Sequence, residues 1–347
     1  MVDAAQSGKK AAWPVGSALF GLALLVAPGW TAADQPTSAA GAPVVAAPSP
    51  APTTVEGLTV HPEDKPRSIY LKAMDFVSVH GGAARVGQLA RWDDEICPIT
   101  LGLSPAMNAF VTARVKAVAL EVGAPVSKNP KCKPNVEVLF SAEPQKLVDR
   151  VARDQGALLG FHYASQTKDL TKVSRPIQAW YLTMTRNWKG EKALDVDHGI
   201  TGSVNMANGA TKATVGSDLP AMRNMGQWPE GCAGSSFTHC LRSNFYHVLI
   251  VADNNTLGGR EIGPVSDYIS LLALSQSSSL DGCNELPSIL DILSTKCSGD
   301  ASVKSLTATD LAYLKGLYST DLETIFTLEK SQIADIMMRD SAIADAH

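Results

Sequence analysis

The residues of this chain able to do chemistry are six cysteines, seven histidines and a few close-set carboxylates. Cys97, Cys132, Cys232, Cys240, Cys283 and Cys297 are even in number, and in an exported chain that makes disulfides the first expectation. Sequence proximity pairs Cys97 with Cys132, Cys232 with Cys240, and Cys283 with Cys297, each closing a loop rich in Gly, Ser, Pro or Lys. A zinc site is the rival use, but no C-x-x-C pair exists, and His239 beside Cys240 lacks helix-spaced partners. Asp195, Asp197 and His198 in DVDHG place ligands as part of a calcium loop does. The Gly and bidentate Glu expected further on are missing, so the run reads as a solvated turn. Ser235 and Ser236 follow Gly234 near His239, without G-x-S-x-G and without a local carboxylate to orient a base. His80, beside Gly81 and Gly82, and His162 in GFHY have apolar neighbours and read as structural. Asp253, Asn254 and Asn255, ahead of Gly258 and Gly259, read as a hairpin or loop. Trp180 and Tyr181, with Trp188 nearby, are either one wall of a ligand groove or core, and aromatic strands are core in most cases.

Patterning then supplies the elements that must carry these groups. Arg91 to Leu103 alternates weakly and predicts a strand. Ser104 is a good N-cap and Pro105 suits the first helical position, where its missing N–H costs nothing. Met107, Phe110, Val111, Val115, Val118 and Val122 follow at helical spacing, and Gly123 and Pro125 stop the helix. Asn135 to Phe140 predicts a strand and Glu143 to Asp154 a helix. Arg175 to Thr185 and Asn244 to Val251 are rich in β-branched and aromatic residues and predict two more strands. Asn187 to Arg242, rich in Gly, Ser, Asn and Met, reads as an elaborated connection. Helices are predicted over Ser266 to Ser275, Thr307 to Tyr318 and Leu328 to Arg339. Strands mixed with helices, ending in helices, imply an α+β domain.

Composition sets the compartment and removes whole classes of function. Of 347 residues, 45% are hydrophobic and 18% charged, with a net charge of −4, which is globular composition. Lys128, Lys131 and Lys133 form the one small basic loop, too little for a phosphate backbone, so no nucleic-acid partner is expected. Lys9 and Lys10 precede the uncharged stretch Val15 to Val26, and Thr31, Ala32 and Ala33 follow Pro28 and Gly29. A cationic start, a short apolar run and a small-x-small cut describe a secretory signal peptide over residues 1–33. The run is shorter than a bilayer span, so no membrane span is expected after cleavage, and the protein should be secreted or periplasmic. Residues 34–56 hold Pro36, Pro43, Pro48, Pro50 and Pro52 without an aromatic residue, and read as a linker. Residues 57–347 form the single expected domain.

One resemblance joins these pieces. LGGREIGPVSDYISLLALSQ from Leu257, ELPSILDIL from Glu285 and LTATDLAYLKGLY from Leu306 resemble the C-terminal half of zincin metallopeptidases, metzincin-like ones above all. In that superfamily a Gly-containing loop leads into the helix H-E-x-x-H-x-x-G-x-x-H, a Met-containing turn follows, and a last helix carries L-x-x-x-D-x-x-x-L-x-x-L-Y. The likeness spans about residues 90–320. It implies a zincin-like mixed sheet with a long N-terminal helix, a central former active-site helix and C-terminal helices.

That helix needs two His one turn apart on zinc and a Glu between them to take a proton from bound water. The alignment puts Ser266 and Ser270 at the His positions, Asp267 at the Glu, Gln276 at the third ligand and Leu290 at the Met-turn. None of these replaces an imidazole. The expectation is therefore no catalytic residue, no metal and no cofactor. The implied function is a pseudoenzyme of the cell envelope with a binding or structural role, its partner a peptide or protein held in a cleft. An exported hydrolase assembling its site from His80, His162, His198 or His247 with Asp and Glu is the second expectation, and a purely structural envelope protein the third.

Overall fold

A computed structural model describes residues 66–82, 84, 87–160, 166–187, 192–195, 202–204, 213–215, 241–277, 280, 285–294, 303–321 and 324–339, all within the unit Val60–His347. The expected signal peptide and linker, Cys232, Cys240, Cys283, Cys297, His162, Trp188, Asp197, His198, Ser235, Ser236 and His239 lie outside the described residues.

The fold is α+β, with helices on both faces of one mixed sheet. Helix α1 (Pro66–His80) comes first; strand β1 (Pro98–Leu101), helix α2 (Pro105–Glu121) and strand β2 (Val136–Ser141) then make a parallel crossover, in register from Pro98↔Val136 to Leu101↔Leu139. Helix α3 (Pro144–Gln155), a 3₁₀ turn Gly156–Leu159 and the short helix α4 (Thr167–Leu170) lead to strand β3 (Ile177–Asn187), which pairs antiparallel with β4 (Lys192–Leu194). Strands β5 (Gly202–Val204) and β6 (Ala213–Val215) form a separate pair. Strand β7 (Leu241–Asp253) enters between β2 and β3, parallel to the first and antiparallel to the second, giving the order β1-β2-β7-β3-β4. Helices α5 (Asn254–Leu257), α6 (Ile262–Leu274), α7 (Ala308–Ser319) and α8 (Phe326–Arg339) complete the chain, with a 3₁₀ turn at Ile289–Leu293 between α6 and α7.

Burial of the sheet on both faces explains the apolar run of the central strand. Val248, Ile250 and Ala252 of β7 join Val136 and Val138 of β2 in the larger core, with Val111, Val115 and Val118 of α2 and the wholly buried stretch Val265–Leu274 of α6. Leu249 and Val251 face the other way, onto Trp180 and Val148 of α3. At the mouth of the crossover Gly102 has φ +99°, and a Cβ there would lie 2.0 Å from the Phe140 carbonyl oxygen, so only glycine serves. Cys97 and Cys132 form a disulfide that fastens the basic loop to the start of β1.

Several expectations need correction. The strand expected from Arg91 to Leu103 is reduced to Pro98–Leu101, because Arg91 leaves the β1 line to lie beside Asn244 of β7 as an isolated bridge and Trp92 turns inward to donate from Nε1 to the Ala273 carbonyl at 2.8 Å. Asp253 to Asn255 is a helix start, since Asp253 caps α5 by accepting from the Asn255 N–H at 2.9 Å and the Thr256 hydroxyl at 2.6 Å. Trp180 and Tyr181 point to opposite faces and pack as core, as expected of an aromatic strand: Trp180 donates to the Leu170 carbonyl, and the Tyr181 hydroxyl to those of Leu272 and Ser275. On α2 the expected apolar stripe outruns its cover, leaving Met107 and Phe110 each 47% exposed. The Ser104 cap is present, its Oγ accepting from the Met107 N–H. Helix α6 begins four residues ahead of Ser266, and α1, which opens on Pro66, adds a helix to those expected.

Candidate functional site

Helix α6, which carries the motif positions, has the geometry of a scaffold. Ser266 and Ser270 share a face one turn apart, and each hydroxyl donates back to its own helix, Ser266 to the Ile262 carbonyl at 2.6 Å and Ser270 to the Ser266 carbonyl at 2.7 Å. Asp267 leaves the helix in another direction. One of its oxygens meets Arg114 Nε of α2 in an ion pair, and the other accepts the Leu306 N–H at 3.0 Å just ahead of α7. Gln276 lies past the helix end; its carbonyl takes the Gly82 N–H at 2.6 Å, while its side-chain Oε1 has no partner. Gly82 is tight there, since a Cβ would sit 2.9 Å from that carbonyl. Leu290 is buried in the 3₁₀ turn. Two hydroxyls turned onto their own backbone, a carboxylate spent on an arginine and a distant amide do not make a zinc site. Among the described residues no group of three or more His, Cys, Asp or Glu side chains is placed to hold a metal ion.

The turn between α6 and α7 is held by a residue the sequence reading passed over. Asp310 accepts from Ser288 Oγ at 2.7 Å, Ile289 N–H at 2.8 Å, and both the N–H and the hydroxyl of Thr307 at 2.9 Å. Burial nevertheless pushes its carboxyl up to about 6, because desolvation outweighs the four donors. The T-x-x-D capping pattern over Thr307 to Asp310 was a signal able to place it.

Strand β7 holds the second group. The β3–β7 register shifts at Leu182/Thr183, so that Thr183 faces Phe245 and Leu182 faces His247, leaving Tyr246 as the extra residue of a bulge. The bulge brings Asn244 and His247 to the same face. Both are fully buried, and neither Asn244 amide atom nor either His247 ring nitrogen has a hydrogen-bond partner. Glu137 Oε1 approaches His247 Nε2 to 3.5 Å. Asp195 is spent on structure, its two oxygens accepting from Thr183 and Thr185 at 2.8 and 2.7 Å. His80 packs on Phe76 with ring centroids 4.3 Å apart, and burial pulls its pKa down to about 4, so it is neutral at physiological pH.

The third group centres on Arg91. Its Nη1 donates to the carbonyls of Leu317 and Thr320 and to Thr320 Oγ1, closing the C-terminal end of α7, and its Nη2 meets Glu329 of α8 at 2.5 Å. Glu329 also accepts the Leu89 N–H at 2.8 Å. Gln88 extends the strap, donating to the Thr324 carbonyl and accepting from the Ser243 N–H. Burial lifts the Glu329 carboxyl to about 7 against the opposing pull of Arg91. Beside the strap lies a pocket of about 510 Å³ whose wall includes Arg91, Trp92, Asp93, Arg242, Tyr318 and Asp321. Arg186, opposite Arg242 across the β3–β7 pair, reaches Asp93 at 2.5 Å and Asp94 at 3.0 Å. Nothing in the spacing of these residues signalled the pocket, because its wall comes from four separate parts of the chain.

No family model matches the chain, and neither a curated protein nor a solved structure shows significant similarity to it.

Proposed function

We propose that this chain is an exported, zincin-like protein that has kept the motif helix and lost its zinc ligands, and that it acts by binding a peptide or protein rather than by cleaving one. The observation that carries this reading is the fate of the polar groups on α6. Ser266 and Ser270 bond to their own helix, and Asp267 joins α2 to the chain ahead of α7, so the helix supports its neighbours and presents no general base. An envelope protein with a purely structural role is the simpler form of the same reading. The exported hydrolase draws on one specific observation, the 3.5 Å approach of Glu137 to His247, but both His247 nitrogens are sealed from solvent.

Metal analysis of the purified full chain, with a casein digestion assay on the same sample, tests the proposal. Substoichiometric zinc and intact casein are expected. Stoichiometric zinc accompanied by chelator-sensitive cleavage would overturn it.

A further inference from the structure

We propose that the outer face of α2 is the surface through which two copies of this chain pair, helix against helix, about a two-fold axis at Ala113. The inference stands apart from the reading of this protein as a zincin-like binder and starts from a helix that is apolar on both sides. Its inner side is accounted for: Val111, Val115, Val118 and Ala119 are buried against β1 and α6, and Arg114 is held by Asp267. On the opposite side Ala106, Ala109, Phe110, Ala113, Ala117 and Leu120 recur at helical spacing, and all are exposed, with Met107 at the border. Phe110 is 47% exposed and Leu120 66%. A surface helix ordinarily turns charge to water on that side, whereas one that is apolar all round is covered all round. No charged residue occurs from Pro98 to Ala113 in a chain that is 18% charged, so this surface lacks the charges that hold a neighbour off.

Three features of the face select a second copy as its occupant. The first is size: Met107, Phe110, Leu120 and the alanines between them leave roughly 500 Å² of apolar surface, so two copies would bury about 1,000 Å², the least that a specific interface needs. The second is self-complementarity. An antiparallel pairing about Ala113 lays Phe110 of each copy on Ala117 of the other and Leu120 on Ala106, so large residues meet small ones on both sides of the axis and one patch serves both chains. The third is composition. A lipid surface calls for Trp, Phe and Leu backed by a Lys- and Arg-rich side, whereas alanines at Ala106, Ala109, Ala113 and Ala117 suit the close approach of two helix axes.

Sedimentation velocity of the full chain across concentrations from about 1 to about 100 µM tests the pairing. A mass rising from one chain to two is expected, with a dissociation constant on the order of 10 µM for an interface of this size. Phe110→Glu sets a carboxylate against an apolar face and is expected to weaken the pair by at least about tenfold. Leu71→Glu, at a position 59% exposed on α1, which packs on α8, is expected to leave it unchanged. Ala113→Cys brings a thiol beside its own copy, and since a disulfide needs Cα atoms within about 7 Å, oxidation is expected to link it into dimers where Leu71→Cys stays unlinked. Circular dichroism confirms the fold of each variant, and should Phe110→Glu fail to fold, the two cysteine variants decide alone. A single-chain mass at every concentration, a mass that climbs past two chains, indifference to Phe110→Glu in a folded variant, or equal linking of the two cysteine variants would overturn the proposal. So would flotation of a monomeric chain with phosphatidylglycerol vesicles that Phe110→Glu abolishes, which gives the face to a lipid surface.

Discussion

Asp267 joins three parts of the chain through one carboxylate. It ties α6 to α2 through Arg114 and holds the chain ahead of α7 through the Leu306 N–H, with its side chain 5% exposed. Asp267→Ala removes an ion pair and leaves a buried N–H unpaired, so a loss of about 2–3 kcal/mol in denaturant unfolding is expected. Ser266→Ala and Ser270→Ala each delete a hydroxyl that bonds only to its own helix, and less than about 1 kcal/mol is expected for either. The reverse ranking, with the serines costly and the aspartate neutral, would contradict this division of labour. At this scale the sequence was informative where a residue acts on near neighbours. Ser104 and Pro105 announced the start of α2, and sequence proximity with the composition of the enclosed loop paired Cys97 with Cys132. Asp310 was within reach of the same logic through Thr307, whereas the partners of Asp267 lie 153 and 39 residues away and leave no local trace.

Among elements, periodicity was legible wherever one local pattern met one packing surface. The strands β2, β3 and β7 and the helices α2, α3, α6, α7 and α8 stand close to their expected positions. The bulge at Tyr246 leaves no mark in the sequence, because a bulge is a property of two strands in register. The disulfide acts at this scale, holding the loop after α2 against β1 across a sequence separation of 35 residues. Loop-closure entropy for a loop of that length is about 3–4 kcal/mol, so the double variant Cys97→Ser, Cys132→Ser is expected to lose about that much stability in urea. A loss below about 1 kcal/mol would mean that the loop is held by its other contacts, chiefly the Ile96 and Val126 bridge.

In the molecule as a whole the strap from Gln88 to Arg91 joins the C-terminal helices to the centre of the sheet, and its pairing gives stability a pH signature. Glu329 rises from an ordinary 4.5 to about 7 on folding, so the folded state binds more protons than the unfolded one between those values. Its contribution is fully present below about 4.5 and is lost as pH rises through 7. Asp310 acts in the same sense at lower pH, and His80 in the opposite sense, losing stability as pH falls from 6.5 toward 4. Between pH 6.5 and 8 the wild-type protein is therefore expected to lose stability as pH rises, and Glu329→Gln to be nearly flat. The stability of the variant relative to the wild type then increases with pH, as urea unfolding at three pH values would show; parallel slopes would remove Glu329 as the cause. The sequence by itself determined most of the long elements and the absence of imidazoles on α6, and favoured the Cys97–Cys132 pairing, because caps, periodicity and donor chemistry act over a few residues or reside in residue type. Only the tertiary structure decided that Asp267 is spent on Arg114, that Asn244 and His247 share a buried face, and that Arg91 and Arg242 meet at one pocket. Each of these depends on segments brought together across the chain, and burial, which sets the cost of every unpaired polar group, exists only once the layers have closed.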